Sequence, residues 1–334
     1  MSATIKKYKI YNKSCYGLED IEKNSVHAII TDPPYGISYQ NRYWDKDLPD
    51  KKIWQDCFNA LRPGGFAAVF SSIRLMHRLM VDIEDSGFII KDVLFWAYLN
   101  GMPKSKNVAL NIDAELGVQS KITGAYKYVQ GYKKDGADSY KPENKKQKKE
   151  PASDLGQLFK GSGWGVKPAY EPIVLVQKPV EEGLTIVQNM IKHHTGALNI
   201  EQTRIPYEEG EKKVGHNPHP AGRVPSNILR TDPLNDGYDK FFVVPKVRQH
   251  AELFNKHPTL KPVELMHHLV KLLSWEEQTV LDPFMGSGST GLSAVSLNRK
   301  FIGYELDKEY YLIAEKTVRA NYNTPYCLIK KLKF

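Results

Sequence analysis

The sequence predicts an α/β fold with a doubly wound, mostly parallel sheet. Short apolar runs such as VHAII, FAAVFSS and TVL predict buried strands. The amphipathic stretches WQDCFNALRPGG and LMHRLMVDIEDSGF, which alternate with the first two runs, predict helices. Strands and helices that alternate in this way are typical of a parallel sheet with helices on both faces.

Further elements continue this pattern along the chain. The stretches YKIY and IIKDVLFWAYL predict strands, and KPAYEPIVLVQKP predicts a strand from Pro172 to Gln177. A helix is predicted from Pro262 to Leu273, followed by a strand, a Gly-rich loop, a helix and a strand. Residues 121–150 contain nine lysines and four tyrosines, which predicts a solvated loop or a phosphate-tracking arm. Residues 181–250 are predicted to be irregular.

Composition favours a polyanionic partner. The 334 residues carry a formal net charge of +9, and basic side chains bind nucleic acid by displacing counterions from its phosphates. No apolar run approaches the roughly 18 residues that a membrane-spanning helix needs. The N-terminal stretch MSATIKKYKI lacks the pattern of a signal peptide. We therefore expect no membrane partner and a location in the cytoplasm or on the nucleoid.

The cysteines and histidines do not predict a metal site. Cys15, Cys57 and Cys327 are widely spread and form no C-x-x-C pair. The histidine pairs at 193–194 and 267–268 have no neighbouring cysteine or acidic cluster that would complete a ligand set. Structural thiols and no bound metal are the expectation.

The motif LDPFMGSGST places a Gly-rich loop between a predicted strand and a predicted helix. Such a loop lets a ligand approach the backbone, and Glu305, at the end of the next strand, can accept hydrogen bonds from ribose hydroxyls. The spacing G-x-G-x-T differs from that of nicotinamide sites, and Asp282 would repel a phosphate. These features suit S-adenosylmethionine, which is cationic. For the glycines alone, a tight turn into a packed helix is the alternative.

A second motif, Asp32-Pro33-Pro34-Tyr35, directly follows an apolar strand, where open α/β sheets bind ligands. Its two prolines remove amide donors, so the loop is rich in hydrogen-bond acceptors. Acceptors placed on both hydrogens of an exocyclic amine expose the nitrogen lone pair to an electrophilic methyl group. Tyr35 offers a flat face on which an extruded base can stack. A plain strand-ending turn is the alternative.

Together, TDPPYG, HPTLKP and LDPFMGSGST resemble the permuted amino-methyltransferases of DNA, which carry the catalytic motif first and the cofactor loop last. The resemblance covers residues 8–104, 163–178 and 255–318. It implies a Rossmann-like methyltransferase fold in circularly permuted order, with S-adenosylmethionine as the cofactor. The implied partner is DNA, as a duplex with a flipped target base. The implied product is N6-methyladenine, with N4-methylcytosine as the alternative.

The resemblance also implies roles for individual residues. Asp32, Pro33, Pro34 and Tyr35 form the catalytic loop, and Glu171 belongs to a supporting strand motif. The residues expected around the cofactor are Asp282, Phe284, Gly286, Ser287, Gly288 and Thr290 at its methionine part, Glu305 at its ribose, and His257, Thr259 and Lys261 in the segment that lies over it.

One feature departs from the family pattern. Lys13 and Ser14 stand where the family commonly has Gly-Asp, whose carboxylate usually reads the adenine amine of the cofactor. Ser14 or a shifted residue is expected to take that role.

Other functions stay open. Methylation of RNA or of a protein glutamine needs the same acceptor loop. The intact loop argues against an inactive nucleic-acid-binding module, and the G-x-G-x-T spacing argues against a nicotinamide dehydrogenase. A cytosine-C5 enzyme is disfavoured, because neither Cys15 nor Cys57 follows a proline.

The resemblance predicts five segments. Residues 1–104 are the catalytic-loop half, residues 105–159 an insertion that contacts DNA, and residues 160–180 a return strand. Residues 181–250 are the predicted target-recognition region, and residues 251–334 are the cofactor-binding half. In the recognition region, Arg223 and Asn227 are candidates for base contacts, or alternatively they tie down a loop. A homodimer and a restriction endonuclease partner stay open.

Overall fold

The computed structural model describes residues 7–38, 42–98, 107–128, 144–166, 168–207, 218–230, 242–243 and 261–321. The chain divides into two compact units, one formed by residues 1–99 with 170–334 and the other by residues 100–169. The predicted insertion, residues 105–159, lies within the second unit.

Seven of the eleven described strands lie in stretches predicted to be strands, and the other four lie within residues 121–150 and 181–250. In chain order the strands are β1 (Tyr8–Tyr11), β2 (Val26–Thr31), β3 (Leu61–Phe70), β4 (Ile89–Ala97), β5 (Lys121–Tyr128), β6 (Asn144–Glu150), β7 (Tyr170–Gln177), β8 (Ile228–Arg230), β9 (Phe242–Val243), β10 (Thr279–Asp282) and β11 (Lys300–Tyr304).

The helices lie mostly between these strands. They are α1 (Lys51–Ala60), α2 (Met76–Glu84), α3 (Val108–Glu115), α4 (Asp154–Leu158), α5 (Ile186–His193), α6 (Val263–Leu273), α7 (Ser289–Ser296) and α8 (Lys308–Asn321). Among the described helices, none is long and apolar enough to cross a membrane.

The described strands of the first unit form one nine-stranded sheet in the order β1-β11-β10-β2-β3-β7-β4-β8-β9. Neighbouring strands are parallel except where β7 lies antiparallel to β3 and β4. The prediction of a mostly parallel sheet is therefore confirmed. β7 is the one strand in this order that runs against the others, so its first residues lie at the edge where its neighbours end.

Helices cover both faces of the sheet, as the continuous apolar runs of its central strands require. One buried cluster combines Ile30 and Phe70 with Leu269 of α6 and Val318 of α8. The other combines Ile29 with residues of α1 and α2, including Trp54 and Ile83. Alternate side chains of β2 thus pack into the cores on opposite faces of the sheet, which explains why its sequence is apolar throughout.

Two stretches predicted to be irregular contain regular structure, so those predictions are wrong in part. β5 and β6 pair as an antiparallel hairpin within residues 121–150. Helix α5 lies within residues 181–250 and begins with a capping box, in which the Thr185 hydroxyl accepts from the Gln188 amide and the Gln188 side chain accepts from the Thr185 amide. This T-x-x-Q pattern is a helix-start signal that the sequence carries.

The second unit contains a fully buried carboxylate, that of Asp113 on α3. It accepts hydrogen bonds from the amides of Ala152 (2.7 Å) and Ser153 (3.1 Å) and from the hydroxyls of Ser153 (2.6 Å) and Ser120 (3.0 Å). The hydroxyl of Ser153 and the other donors lower the pKa of Asp113 to about 2. This carboxylate joins α3 to the turn that starts α4.

Asp113→Ala is expected to loosen the second unit, because two amides and two hydroxyls lose their buried acceptor. Hydrogen exchange of the full chain should become several-fold faster at 107–120 and 151–158, while Glu115→Ala, an exposed change on the same helix, leaves it unaltered. Because the folded-state pKa is depressed, wild-type protection should be constant above about pH 4 and decline as the pH falls toward about 2. Equal exchange in both variants would contradict this role.

Candidate active site

The two sequence motifs meet at one edge of the sheet, because β2 and β10 are neighbouring parallel strands. The hydroxyl of Thr31, the last residue of β2, donates to the carboxylate of Asp282, the last residue of β10, over 2.7 Å. Both residues are buried. A direct hydrogen bond therefore connects the beginning of the Asp32 loop to the beginning of the Gly-rich loop.

Asp282 shapes the Gly-rich loop. Besides Thr31, its carboxylate accepts from the Thr290 hydroxyl over 2.6 Å and from the Phe284 amide over 3.1 Å. Burial raises the pKa of Asp282 to about 6, and these hydrogen bonds oppose that rise. Since both carboxylate oxygens are engaged by the protein, Asp282 holds the loop in shape and gives this edge negative charge.

The two glycines of the loop have different neighbours. Gly286 (φ +54°) donates its amide to the Glu305 carboxylate over 3.0 Å. Gly288 (φ +89°) packs against α8, where an added Cβ would lie 3.1 Å from the Cα of Ala314. Ser287 is buried. Gly288 is thus required by its backbone conformation and by helix packing, which agrees with the alternative of a tight turn into a packed helix.

Glu305 follows β11 and faces the Gly-rich loop. Its carboxylate accepts from the amides of Gly286 and Asp307, the latter over 2.7 Å. Its own backbone is held by Tyr11, whose carbonyl accepts the Glu305 amide, and by the side chain of Asn12. Burial raises the pKa of Glu305 to about 7, against the effect of the two amides. The carboxylate therefore changes charge near neutral pH.

The Asp32 carboxylate lies in a hydrogen-bonded cluster with Tyr35 and Lys261. The Tyr35 hydroxyl donates to Oδ1 over 2.7 Å, and the Lys261 ammonium donates to Oδ2 over 2.7 Å. Lys261 precedes α6 and its side chain is 8% exposed. Lys261 is thus bonded to the Asp32 loop, and its position over the cofactor, which the family resemblance implies, stays a prediction.

Glu171 completes this cluster from β7. One of its carboxylate oxygens lies 3.4 Å from the Lys261 ammonium and 3.5 Å from the Tyr35 hydroxyl. Glu171 is the second residue of β7, and the reversed direction of this strand brings it to the edge where β2 and β10 end. Tyr98, directly after β4, is hydrogen-bonded to Glu171. The supporting strand motif thus contributes a second carboxylate.

Burial and charge act in opposite directions on this cluster. Burial raises the pKa of Asp32 above its usual value, and the opposing effects of Lys261 and then the Tyr35 hydroxyl offset this rise only in part. Burial lowers the pKa of Lys261, but the two carboxylates outweigh it and the pKa is raised overall. Burial and the same carboxylates raise the pKa of Tyr35 well above its usual range. Tyr35 is therefore a neutral donor, and Lys261 is a cation.

Sequence reasoning missed Asp45, which is 2% exposed and lies in the short 3-10 helix Tyr43–Asp45. Its Oδ1 accepts from the amides of Tyr35 (2.6 Å) and Gly36 (3.1 Å), and its carbonyl accepts from the Ser38 amide. Positions 33 and 34 have no amide proton because both are prolines. With the next two amides taken by Asp45, the loop from 33 to 36 has carbonyl acceptors and no free amide.

Lys13 and Ser14 engage local partners after β1. Lys13 forms an ion pair with Asp20, and the Ser14 hydroxyl accepts from the Tyr16 amide over 3.1 Å. Recognition of the cofactor adenine by Ser14 remains a prediction.

The candidates for base contacts also have partners within the protein. The Arg223 amide and carbonyl pair with Ile205, its guanidinium lies 5.3 Å from the ring centre of Tyr207, and Asn227 donates to Asp92 over 3.3 Å. These contacts agree with a role in fixing the loop, and base readout stays a prediction. His257 and Thr259 lie outside the described residues. Within the described ranges, no group of three or more acidic, histidine or cysteine side chains is arranged to hold a metal.

Comparison with known proteins agrees with this geometry. The DNA methylase family model matches residues 26–316. The type II methyltransferase M.HindIII of Haemophilus influenzae is 30% identical to this chain over 91% of its length and 93% of that protein. The DNA adenine methyltransferase YhdJ of Escherichia coli is also 30% identical, over 90% of this chain and 79% of that protein.

A solved structure shows the same fold. The cytosine-N4-specific PvuII DNA methyltransferase is 15% identical and superimposes with a TM-score of 0.50, covering 95% of this chain and 91% of that one. With a family match over most of its length and the two motifs adjacent at one sheet edge, this chain belongs to the N6/N4 DNA methylase family.

Proposed function

We propose that this enzyme transfers the methyl group of S-adenosylmethionine to N6 of adenine in duplex DNA. The observation that carries the proposal is the placement of an acceptor-rich loop, headed by Asp32 with its carboxylate held by Lys261, beside the Gly-rich loop. In the family that this sequence resembles, Asp commonly leads the loop of adenine enzymes and Ser that of cytosine enzymes, so Asp32 favours adenine. YhdJ, a relative that aligns with 90% of the chain, is also named as an adenine methyltransferase.

The residues at the Gly-rich loop suit this cofactor. Residues 282–290 contain Asp282 and no Lys, Arg or His, so a polyphosphate would meet negative charge there and no cation. Glu305 offers a carboxylate at the end of the neighbouring strand β11, where it would accept from ribose hydroxyls. S-Adenosylmethionine supplies an electrophilic methyl group on a cationic sulfonium.

The Asp32 loop would activate the amine through hydrogen-bond acceptors. An exocyclic amine is a poor nucleophile because its lone pair is delocalised into the ring. Two of the roughly four lone-pair sites of the Asp32 carboxylate are used by Tyr35 and Lys261, which leaves sites for an amine hydrogen. The proline carbonyls would take the second hydrogen. Methyl transfer would form the N–C bond as the S–C bond of the cofactor breaks, and the methylated nitrogen would then release one proton through the Asp32 carboxylate to solvent.

DNA contacts are assigned to the second unit and to residues 181–250. Lys148 and Lys149 on β6 are exposed, and basic side chains at a hairpin surface bind phosphates without reading sequence. Base recognition would come from the more irregular part of the chain, including Arg223 and Asn227.

Asp32→Ala is expected to reduce methyl transfer by about 10²–10³-fold, or roughly 3–4 kcal/mol of barrier, because an aligned acceptor in a dry site is removed. Affinity for S-adenosylmethionine should change little, since Asp32 acts on the target base. Transfer of labelled methyl groups to duplex DNA, followed by nucleoside analysis, measures the effect and identifies the product. The exposed change Glu84→Ala is the control. Activity within about tenfold of wild type would refute the role of Asp32.

Cofactor affinity is expected to fall as the pH drops from about 8 to about 6, because Glu305, with a pKa of about 7, becomes protonated and loses its charge as an acceptor. Glu305→Gln should weaken binding about tenfold at the higher pH and remove most of the pH dependence. Calorimetry with S-adenosylmethionine measures both. Identical profiles for the two proteins would exclude Glu305 from the cofactor site.

Replacing Lys148 and Lys149 with Gln should weaken DNA binding similarly for all sequences. The slope of log affinity against log salt should decrease by up to about 0.9 for each phosphate that the variant no longer neutralises. The control replaces Lys300 and Lys316, two exposed lysines of the first unit, with Gln. It removes the same charge and should leave the salt slope unchanged. A changed preferred sequence, or an unchanged salt slope, would speak against phosphate binding by the hairpin.

A further inference from the structure

We propose that Lys261 is a positioning residue for methyl transfer: it fixes the Asp32 carboxylate as an anion, and Glu171 balances the charge of the lysine. The inference rests on the proposed function, because it concerns the acceptor loop. It assigns Lys261 to the target-base side of the site and gives Glu171 an electrostatic role.

The geometry of the ammonium group supports this assignment. Lys261 Nζ lies 2.7 Å from Asp32 Oδ2, 3.2 Å from the Tyr35 hydroxyl oxygen and 3.4 Å from Glu171 Oε2. An ammonium group has three hydrogens, and each has an oxygen within reach. The Nζ atom also lies 4.9 Å from the ring centre of Phe70 and 5.5 Å from that of Tyr35. The lysine is therefore held by the protein from several sides.

The two carboxylates of the cluster, Asp32 and Glu171, need a neighbouring cation if both are to stay ionised. Asp32 and Glu171 have side chains that are only 22% and 21% exposed, and both approach the Tyr35 hydroxyl. Two carboxylates that are close together and poorly solvated repel each other, so one of them tends to bind a proton. The other ionisable groups acting on this pair are Tyr98, which is bonded to Glu171, and Asp282, which is negative. Among the residues that the structure describes, Lys261 is the cation that contacts both carboxylates.

Protonation of Asp32 would replace an acceptor site of the loop with a donor and weaken its hold on the amine. A protonated carboxyl group presents a hydroxyl donor, whereas the amine needs an acceptor for its hydrogen. By holding Oδ2, Lys261 also fixes the rotation of the carboxylate, while Tyr35 holds Oδ1. Lys261 thus controls both the charge and the orientation of Asp32 without touching the target base.

The test compares Lys261→Met, Glu171→Gln and the double variant with wild type. Single-turnover transfer to duplex DNA is measured across pH at saturating S-adenosylmethionine, and calorimetry gives cofactor affinity. Lys192→Met is the matched control, because Lys192 pairs with Glu181 over 2.6 Å at the surface. The net charge of the cluster formed by Asp32, Glu171 and Lys261 is −1 in wild type and in the double variant, −2 in Lys261→Met and zero in Glu171→Gln.

The acidic limb of the rate profile is expected to move up by about one pH unit or more in Lys261→Met and down in Glu171→Gln. In the double variant it should return toward wild type, so that the second change restores activity that the first removes. If Lys261 only packs, the two single changes should each lower the transfer rate by a factor that does not depend on pH, and the two losses should add in the double variant. That outcome, or cofactor affinity more than tenfold weaker in Lys261→Met with an unmoved acidic limb, overturns the proposal.

Two results distinguish failure of the Lys261 role from failure of the methyltransferase function itself. If wild type transfers no methyl group to DNA, the proposed function fails. If wild type is active and Lys261→Met has an unmoved acidic limb, only the role of Lys261 fails. Glu171→Gln keeps the test decisive if Lys261→Met does not fold, because its acidic limb must move to lower pH.

Discussion

The buried carboxylate of Asp282 is the interaction on which the candidate active site depends. An unpaired carboxylate would be costly to bury, so its neighbours must supply donors. Those donors come from the end of β2, through Thr31, and from the Gly-rich loop and α7, through Phe284 and Thr290. One side chain therefore sets the distance between two loops that are 251 residues apart at Thr31 and Asp282.

The direction of the strands determines which side chains join this edge. Parallel strands β2, β10 and β11 end there, and they deliver Asp32, Asp282 and Glu305 in turn. The antiparallel strand β7 begins there, and this is why a residue at its start, Glu171, reaches Lys261. A sheet of uniform direction would place the residues at the start of β7 at the opposite edge.

Much of the fold could be predicted from local patterns. Continuous apolar runs predicted β2, β3 and β10, and the residues that end the first and the last of these runs placed Asp32 and Asp282 at strand ends. The helix predicted by its periodicity at 262–273 is present as Val263–Leu273. These predictions succeeded because strand burial and helix amphipathicity are properties of short segments.

Contacts between distant residues could not be predicted in the same way. Asp45 is one of many acidic residues, and nothing in its neighbours indicates that it binds the amides of Tyr35 and Gly36. The partner of Lys261 is 229 residues away, so the position of this lysine in a motif did not reveal its contact with Asp32. The hairpin β5–β6 has few apolar residues, and composition therefore suggested an irregular segment.

The pairing of β1 with β11 has a consequence for how the chain acquires its structure. In the described sheet, β1 is the terminal strand and hydrogen-bonds to β11, from Tyr8 opposite Phe301 to Tyr11 opposite Tyr304. During synthesis, β1 leaves the ribosome long before its partner exists, and closing so long a loop is entropically unfavourable and slow. Until β11 and β10 are synthesised, the backbone groups of β1 and of one edge of β2 have no strand to pair with. The catalytic edge can therefore form only after β10 and β11 have been synthesised, and Asp282 follows Thr31 by 251 residues.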